Sequence, residues 1–174
     1  FKKPFYMHTR PETVTKRRAK KLKEINCDRV NIGVEHGNYK FRADVVGRSY
    51  KNELAVESFE IMYNAGISTV SNNILGYPDE TRELIFDTIE LVRKLKCTDI
   101  NAFTFTPYRG TSLRELCEKK NYLDKNVIAD GMYVKDSLLT MPTISKEDIR
   151  GLMKTFVLYS RLPRSLWKDI SIAE

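Results

Sequence analysis

"STVSNNILGYPDETRELIFDTIELVRKLK" (residues 68–96) contains the change of period on which the fold turns. Its opening, STVSNNILG (68–76), is an apolar, β-branched run of strand length. Its close, RELIFDTIELVRKLK (82–96), places Leu84, Ile85, Thr88, Ile89, Val92 and Leu95 on one helical face. Between them Gly76 allows close backbone approach and Pro78 fixes the shape of a turn. Thr81 can cap the helix that starts at Arg82, and Glu83 suits the positive end of its dipole. The stretch therefore reads as strand, tight turn, helix.

The same pairing recurs on both sides. PFYMHT (4–9) precedes a helix pattern at 13–25 with Val14, Ala19, Leu22 and Ile25 as a narrow apolar stripe. RVNIGVE (29–35) leads through a long loop to a helix at 52–64, which carries Leu54, Ala55, Phe59, Met62 and Ala65 inward and stops at Gly66. DINAFTFTPY (99–108) is followed by the short helix SLRELCEKK (112–120). Strands alternating with helices call for parallel strands joined by right-handed crossovers. The fold class is α/β, either an open doubly wound sheet or a piece of a barrel, and in both the ligand sits at the carboxyl ends of the strands.

From about residue 125 the pattern changes. DGMYVKDSLLTMPTIS (130–145) reads as irregular. SKEDIRGLMKTFVLYSRL (145–162) reads as one amphipathic helix capped by Ser145, with Ile149, Leu152, Met153, Phe156 and Val157 inward. The tail PRSLWKDISIAE carries no clear signal. The expected division is 1–124 as the α/β unit and 125–174 as an irregular segment plus helix.

A chain of 174 residues with 41% hydrophobic and 30% charged residues can bury a sizeable core. No apolar run approaches a membrane span and no signal-peptide pattern opens the chain, so no membrane partner is expected. The first residue is Phe1 rather than Met, which suggests a piece excised from something longer. Cys27, Cys97 and Cys117 are too scattered for a disulfide framework or a metal knuckle, and the odd count suits a reducing, cytoplasmic compartment. All three read as buried or half-exposed thiols. Most of the net charge of +7 sits in KRRAKKLK (16–23), on the outer side of a helix. Such a run is ordinarily a solvated face; no aromatic residue interleaves with it, so a nucleic-acid partner is the lesser reading.

The four strand ends carry HTRPET, GVEHGN with VGRSYKNE, LGYPDET and TPYRGT. Each alone could be a structural turn, but on one end of a parallel sheet they would converge on one mouth. Glu35 and Arg48 would give that mouth a hydroxyl acceptor and a carboxylate clamp. His8 and His36 stand near strand ends, yet no nucleophile elbow or metal-binding helix accompanies them. The residues suggest a small-molecule site for a ligand with a carboxylate and hydroxyls, and leave the chemistry open.

RPETVT, VNIGVEHGN, GRSYKNE, AGISTVSNNILGYPDET and FTFTPYRGTSL, in this order and rough spacing over residues 4 to 120, resemble the later half of the radical S-adenosylmethionine (radical SAM) barrel. The likeness is to the branch whose members often carry a cobalamin-binding domain, including the anaerobic magnesium-protoporphyrin ester cyclase type. It implies a partial (β/α) TIM-like barrel of about four parallel βα units with a C-terminal helical appendage. It implies S-adenosylmethionine as cofactor, with the backbone around Ile74 and Gly76 against the adenine and Pro78 shaping that turn. Glu35 matches the position near the ribose, Arg48 the arginine that holds the methionine carboxylate, Phe105 and Thr106 the last strand's end beside the adenine, and Arg10 an arginine at the mouth. Asn72 stands where that pattern often has glycine.

One departure is large. The family's [4Fe–4S] cluster is held by a Cys-x-x-x-Cys-x-x-Cys loop, which is not present here. Cys27, Cys97 and Cys117, at two helix ends and within a third helix, do not substitute. The cluster loop would precede Phe1, and a cobalamin domain would also lie outside this chain. The resemblance thus implies part of an enzyme that reductively cleaves S-adenosylmethionine to a 5′-deoxyadenosyl radical and abstracts hydrogen from a substrate the sequence does not identify. The isolated piece would be inactive. The alternatives are a cluster-less α/β module that binds a small molecule, or one that binds RNA. A barrel cut open should expose PFYMHT as an apolar edge, to be hidden by self-association or by the C-terminal segment.

Overall fold

The structure, a computed structural model, describes residues 2–129 and 136–174. Four parallel strands, β1 (Phe5–Thr9), β2 (Cys27–Glu35), β3 (Ser68–Leu75) and β4 (Asp99–Thr104), lie side by side in chain order. The intervening helices are α1 (Lys16–Glu24), α2 (Tyr39–Phe41), α3 (Asn52–Asn64) and α4 (Arg82–Val92). After β4 come α5 (Ser112–Lys119), α6 (Lys146–Arg161) and the short α7 (Trp167–Ile172). This is the α/β arrangement of a partial TIM-like barrel with C-terminal helices, as the alternation predicts.

Local chemistry explains the boundaries. The Thr15, Thr81 and Thr111 hydroxyls accept from the backbone of the first turns of α1, α4 and α5. Ser145 and Asp148 form a reciprocal capping box that starts α6. Gly66, at φ +68°, turns the chain out of α3.

Alternation sorts each strand's side chains between two faces. Val30, Ile32 and Val34 of β2 are fully buried against the helices with Ala55, Phe59, Ile85 and Ile89. The other face carries Tyr6 and His8, Arg29 and Asn31, Asn72, and Asp99 and Asn101. Its residues bond across strands: Asn101 Nδ2 donates to Asn72 Oδ1 at 3.1 Å, and Asn31 Nδ2 lies 3.4 Å from His8 Nε2. The uncovered interior is therefore mixed: β1 is the expected open edge with Tyr6 exposed, and Val70 and Phe103 lie among the polar side chains of this face. The C-terminal segment does not hide it. Helix α6 packs on the helix side of the sheet, against β4 and α4, where Ile149, Leu152, Phe156 and Tyr159 join the core. Arg93 fastens it by donating to the carbonyls of Tyr159 and Leu162 at 2.6 and 2.7 Å.

Other differences are local. Cys27 opens β2 instead of ending a helix, and Cys97 sits in the turn before β4, because α4 ends at Val92. Val157 faces solvent, since the buried stripe of α6 runs through Ile149, Leu152, Thr155, Phe156 and Tyr159. The long loop after β2 contains α2 and a π-turn, Arg42–Val46. Of the segment expected to be irregular, 136–145 contains no helix or strand, and 130–135 lies outside the described residues.

Candidate functional site

The carboxyl ends of β1, β2 and β3 border a cleft of about 390 Å³ whose lining includes Arg10, Glu35, Arg48, Ile74 and Tyr77. It opens into a wider trough of about 760 Å³ over the polar face, and His8, Asn31 and Asn72 border both. Volumes of this size suit a small-molecule ligand.

Arg48 is the centre of the cleft. Its Nη1 donates to Glu35 Oε1 and to the Gly33 carbonyl, both at 3.1 Å. Its Nη2 donates to Glu12 Oε2 at 3.0 Å. Its Nε is buried without a partner. Glu35 reaches this position through a left-handed backbone, φ +67°, just past a shift in the β2–β3 register between Gly33 and Glu35. The absence of a side chain at Gly33 leaves room for the Glu35 carboxylate, which a Cβ there would push aside. Burial pushes the Glu35 carboxyl above its ordinary range, while the Arg48 and Arg10 charges pull it back.

Arg48 is aimed by a second arginine. Arg42 is fully buried and donates to the carbonyl of Tyr50, to that of His36 at 2.5 Å and to Asn52 Oδ1 at 2.9 Å. Its guanidinium also lies 3.9 Å from the centre of the Tyr50 ring. The Tyr50 hydroxyl in turn donates to the Val34 carbonyl at 2.5 Å. These bonds tie the loop of residues 36–50 to the end of β2 and hold Arg48 over Gly33.

The third strand end is braced from within. The Gly76 amide, at φ +83°, donates to Glu80 Oε2, and so does the Tyr77 amide at 3.2 Å. Glu80 Oε1 lies 2.9 Å from His36 Nε2, at an angle away from a straight hydrogen bond, with both side chains fully buried. His36 Nδ1 accepts from the Asn38 amide, so the ring proton is left on Nε2, facing Glu80. Burial pushes the Glu80 carboxyl up, and His36 with the two backbone amides opposes this. The GYPDE turn thus spends its carboxylate and its Gly76 amide on its own shape.

Of the residues predicted from sequence, Arg10, Glu35, Arg48 and Ile74 meet on the cleft. Gly76 and Pro78 are buried in the turn behind it. β4 ends at Thr104, and Phe105 is buried against Tyr77, with ring centres 5.1 Å apart. Thr106 Oγ1 bonds to the Thr104 carbonyl at 3.4 Å. These four do not line the cleft. Glu12, Asn31, Asn72 and Tyr77 supply groups that strand-end reasoning passed over. The Glu in RPET was a visible signal for the first; the period of two along β2 and β3 was one for the asparagines.

Residues able to meet an adenosyl amino acid are present: a guanidinium with an unused buried Nε, the Asn31 Oδ1 buried without a partner, and a carboxylate. Those able to meet an iron–sulfur cluster are not. The three free thiols are buried in different elements, and burial raises each above the usual thiol range, Cys117 to about 11. Among the described residues no three His, Cys, Asp or Glu gather as a metal site, and no helix is long and apolar enough to cross a membrane.

The sequence profile of the Radical SAM superfamily matches residues 2–92. An uncharacterized methyltransferase of Pyrococcus horikoshii is 28% identical over 164 residues, covering 93% of this chain and 35% of that protein. Among solved structures, the radical SAM enzyme coproporphyrinogen III oxidase (HemN) of Escherichia coli superposes with a TM-score of 0.63 at 18% identity, over 89% of this chain and 32% of the other. The radical SAM methyltransferase TsrM of Kitasatospora setae, solved with a SAM analogue and tryptophan, gives 0.59 at 20% identity over 74% of this chain and 26% of the other. TsrM has also been solved with cobalamin and a [4Fe–4S] cluster. This chain spans about a quarter to a third of the length of these relatives.

Proposed function

The chain belongs to the radical SAM superfamily, and we propose from this that its strand-end cleft forms the side of a SAM pocket that receives the ribose and the methionine carboxylate. The observation that carries the reading is Arg48, a nearly buried guanidinium facing the cleft with one N–H unused. In this reading Arg48 pairs with the carboxylate, Glu35 accepts from a ribose hydroxyl, Ile74 packs under the adenine and Arg10 adds positive charge at the mouth. The complete protein is then an Fe–S enzyme that reductively cleaves SAM, the cluster supplying the electron from ligands that are not among these residues. This chain's part is to bind and orient the cofactor, with cobalamin a further cofactor of the kind TsrM holds. Three free thiols suit a cytoplasmic setting.

Isothermal titration tests the reading. S-Adenosylhomocysteine should bind the chain, and Arg48→Ala should weaken it about tenfold or more, as expected for loss of a hydrogen bond to a charged group. Equal binding by Arg48→Ala and the native chain would refute the assignment.

A further inference from the structure

We propose that Glu12 is a built-in competitor for the carboxylate position on Arg48, so that a ligand's carboxylate binds by displacing it. This rests on the SAM-cleft reading and adds a residue that sets which ligands the cleft prefers.

The argument is one of charge. Arg48 already faces two carboxylates, Glu12 at 3.0 Å and Glu35 at 3.1 Å. A third carboxylate would be repelled by both, so one must move away. The two are held differently. The Glu35 side chain is 21% exposed, stems from the end of β2 and lines the cleft, where Arg48 is its hydrogen-bond partner. The Glu12 side chain is 37% exposed, projects from the single 3-10 turn Pro11–Thr13, and among the described residues has no other hydrogen bond. Moving Glu12 returns an already partly hydrated carboxylate to water, whereas Glu35 is the more enclosed of the two and would have to leave the cleft it lines. Glu12 is therefore the carboxylate that yields.

Discrimination follows. A ligand with a carboxylate must break the Glu12–Arg48 pair, while an adenosyl compound without one can enter with the pair intact. An ion pair this exposed is worth about two- to fivefold in a binding equilibrium.

Calorimetry on the chain with S-adenosylhomocysteine and with 5′-methylthioadenosine, which lacks the amino-acid part, tests the proposal. Glu12→Gln should tighten the first about two- to fivefold and leave the second unchanged. Glu12→Ala, with thermal melts to confirm folding, serves as the second variant. Weaker or unaltered S-adenosylhomocysteine binding in both variants, with 5′-methylthioadenosine still bound, would make Glu12 a support for Arg48 and overturn the proposal. If neither compound binds the native chain, the SAM-cleft reading beneath it falls as well.

Discussion

His36 and Glu80 lie 2.9 Å apart with no exposed side-chain surface on either, joining the loop after β2 to the turn after β3. Glu80 also accepts from the Gly76 and Tyr77 amides. Glu80→Ala would strand these donors in a dry interior, at a cost of about 3 kcal/mol or more. Glu80→Gln keeps one acceptor oxygen and should cost less. Urea unfolding measures both; a Glu80→Ala loss below about 0.5 kcal/mol would remove the bracing role.

Gly37 packs where no side chain fits. An added Cβ would run into the backbone of Asp87 and Thr88 in α4, which cannot turn aside. The Gly37 amide also donates to Thr88 Oγ1 at 2.9 Å. Gly37→Ala should cost about 2 kcal/mol or more. Gly110, at φ +78° with open space around it, provides a contrast, and alanine there should cost only the left-handed backbone penalty of about 1 kcal/mol. Equal losses in the two variants would contradict the distinction.

The buried hydroxyls predict a fall in stability at high pH. Burial raises Tyr50 and Tyr159 from 10.0 to about 12. The folded chain holds these protons more tightly than the unfolded chain, so the contribution is complete below 10.0 and is lost as pH rises toward about 12. Tyr50→Phe should flatten part of that fall in thermal melts taken between pH 9 and 12. An unchanged slope would show that the Tyr50 proton is not linked to folding.

β1 is an edge of the sheet, and Tyr6 stands 68% exposed on its open face. We expect the isolated chain to associate with itself through this edge, weakly because polar side chains interrupt the face. Light scattering should show a mass that rises with concentration and rises less for Tyr6→Lys. A constant monomer mass would refute the expectation.

The elements of this fold were legible because their signals are local. The Thr81 and Ser145 caps and clean periodicity placed α3 to α6 and all four strands. What stayed hidden depends on distant partners. The helical turns of residues 39–46 are held by Arg42 reaching carbonyls on both sides of them, which no window of sequence contains. Glu80 looks like a solvated turn residue until His36 closes over it from another strand end. Its place at a strand end suggests that Phe105 lines the site, but Leu123 and Leu139, which follow α5 in the chain, join Tyr77 in burying it. Arg48 and Glu35 were legible as a pair because β2 and the loop behind it bring them together; Glu12, their third partner, arrives from the preceding strand end.

The sheet's order, β1-β2-β3-β4, has a consequence for how the chain is made. Each new strand pairs with the one synthesised just before it, and no strand must wait for a partner from far ahead. Short sequence separation between pairing strands lowers the loop-closure cost of each step. Over residues 5–104 assembly can then proceed unit by unit, each βα pair docking on the one before it.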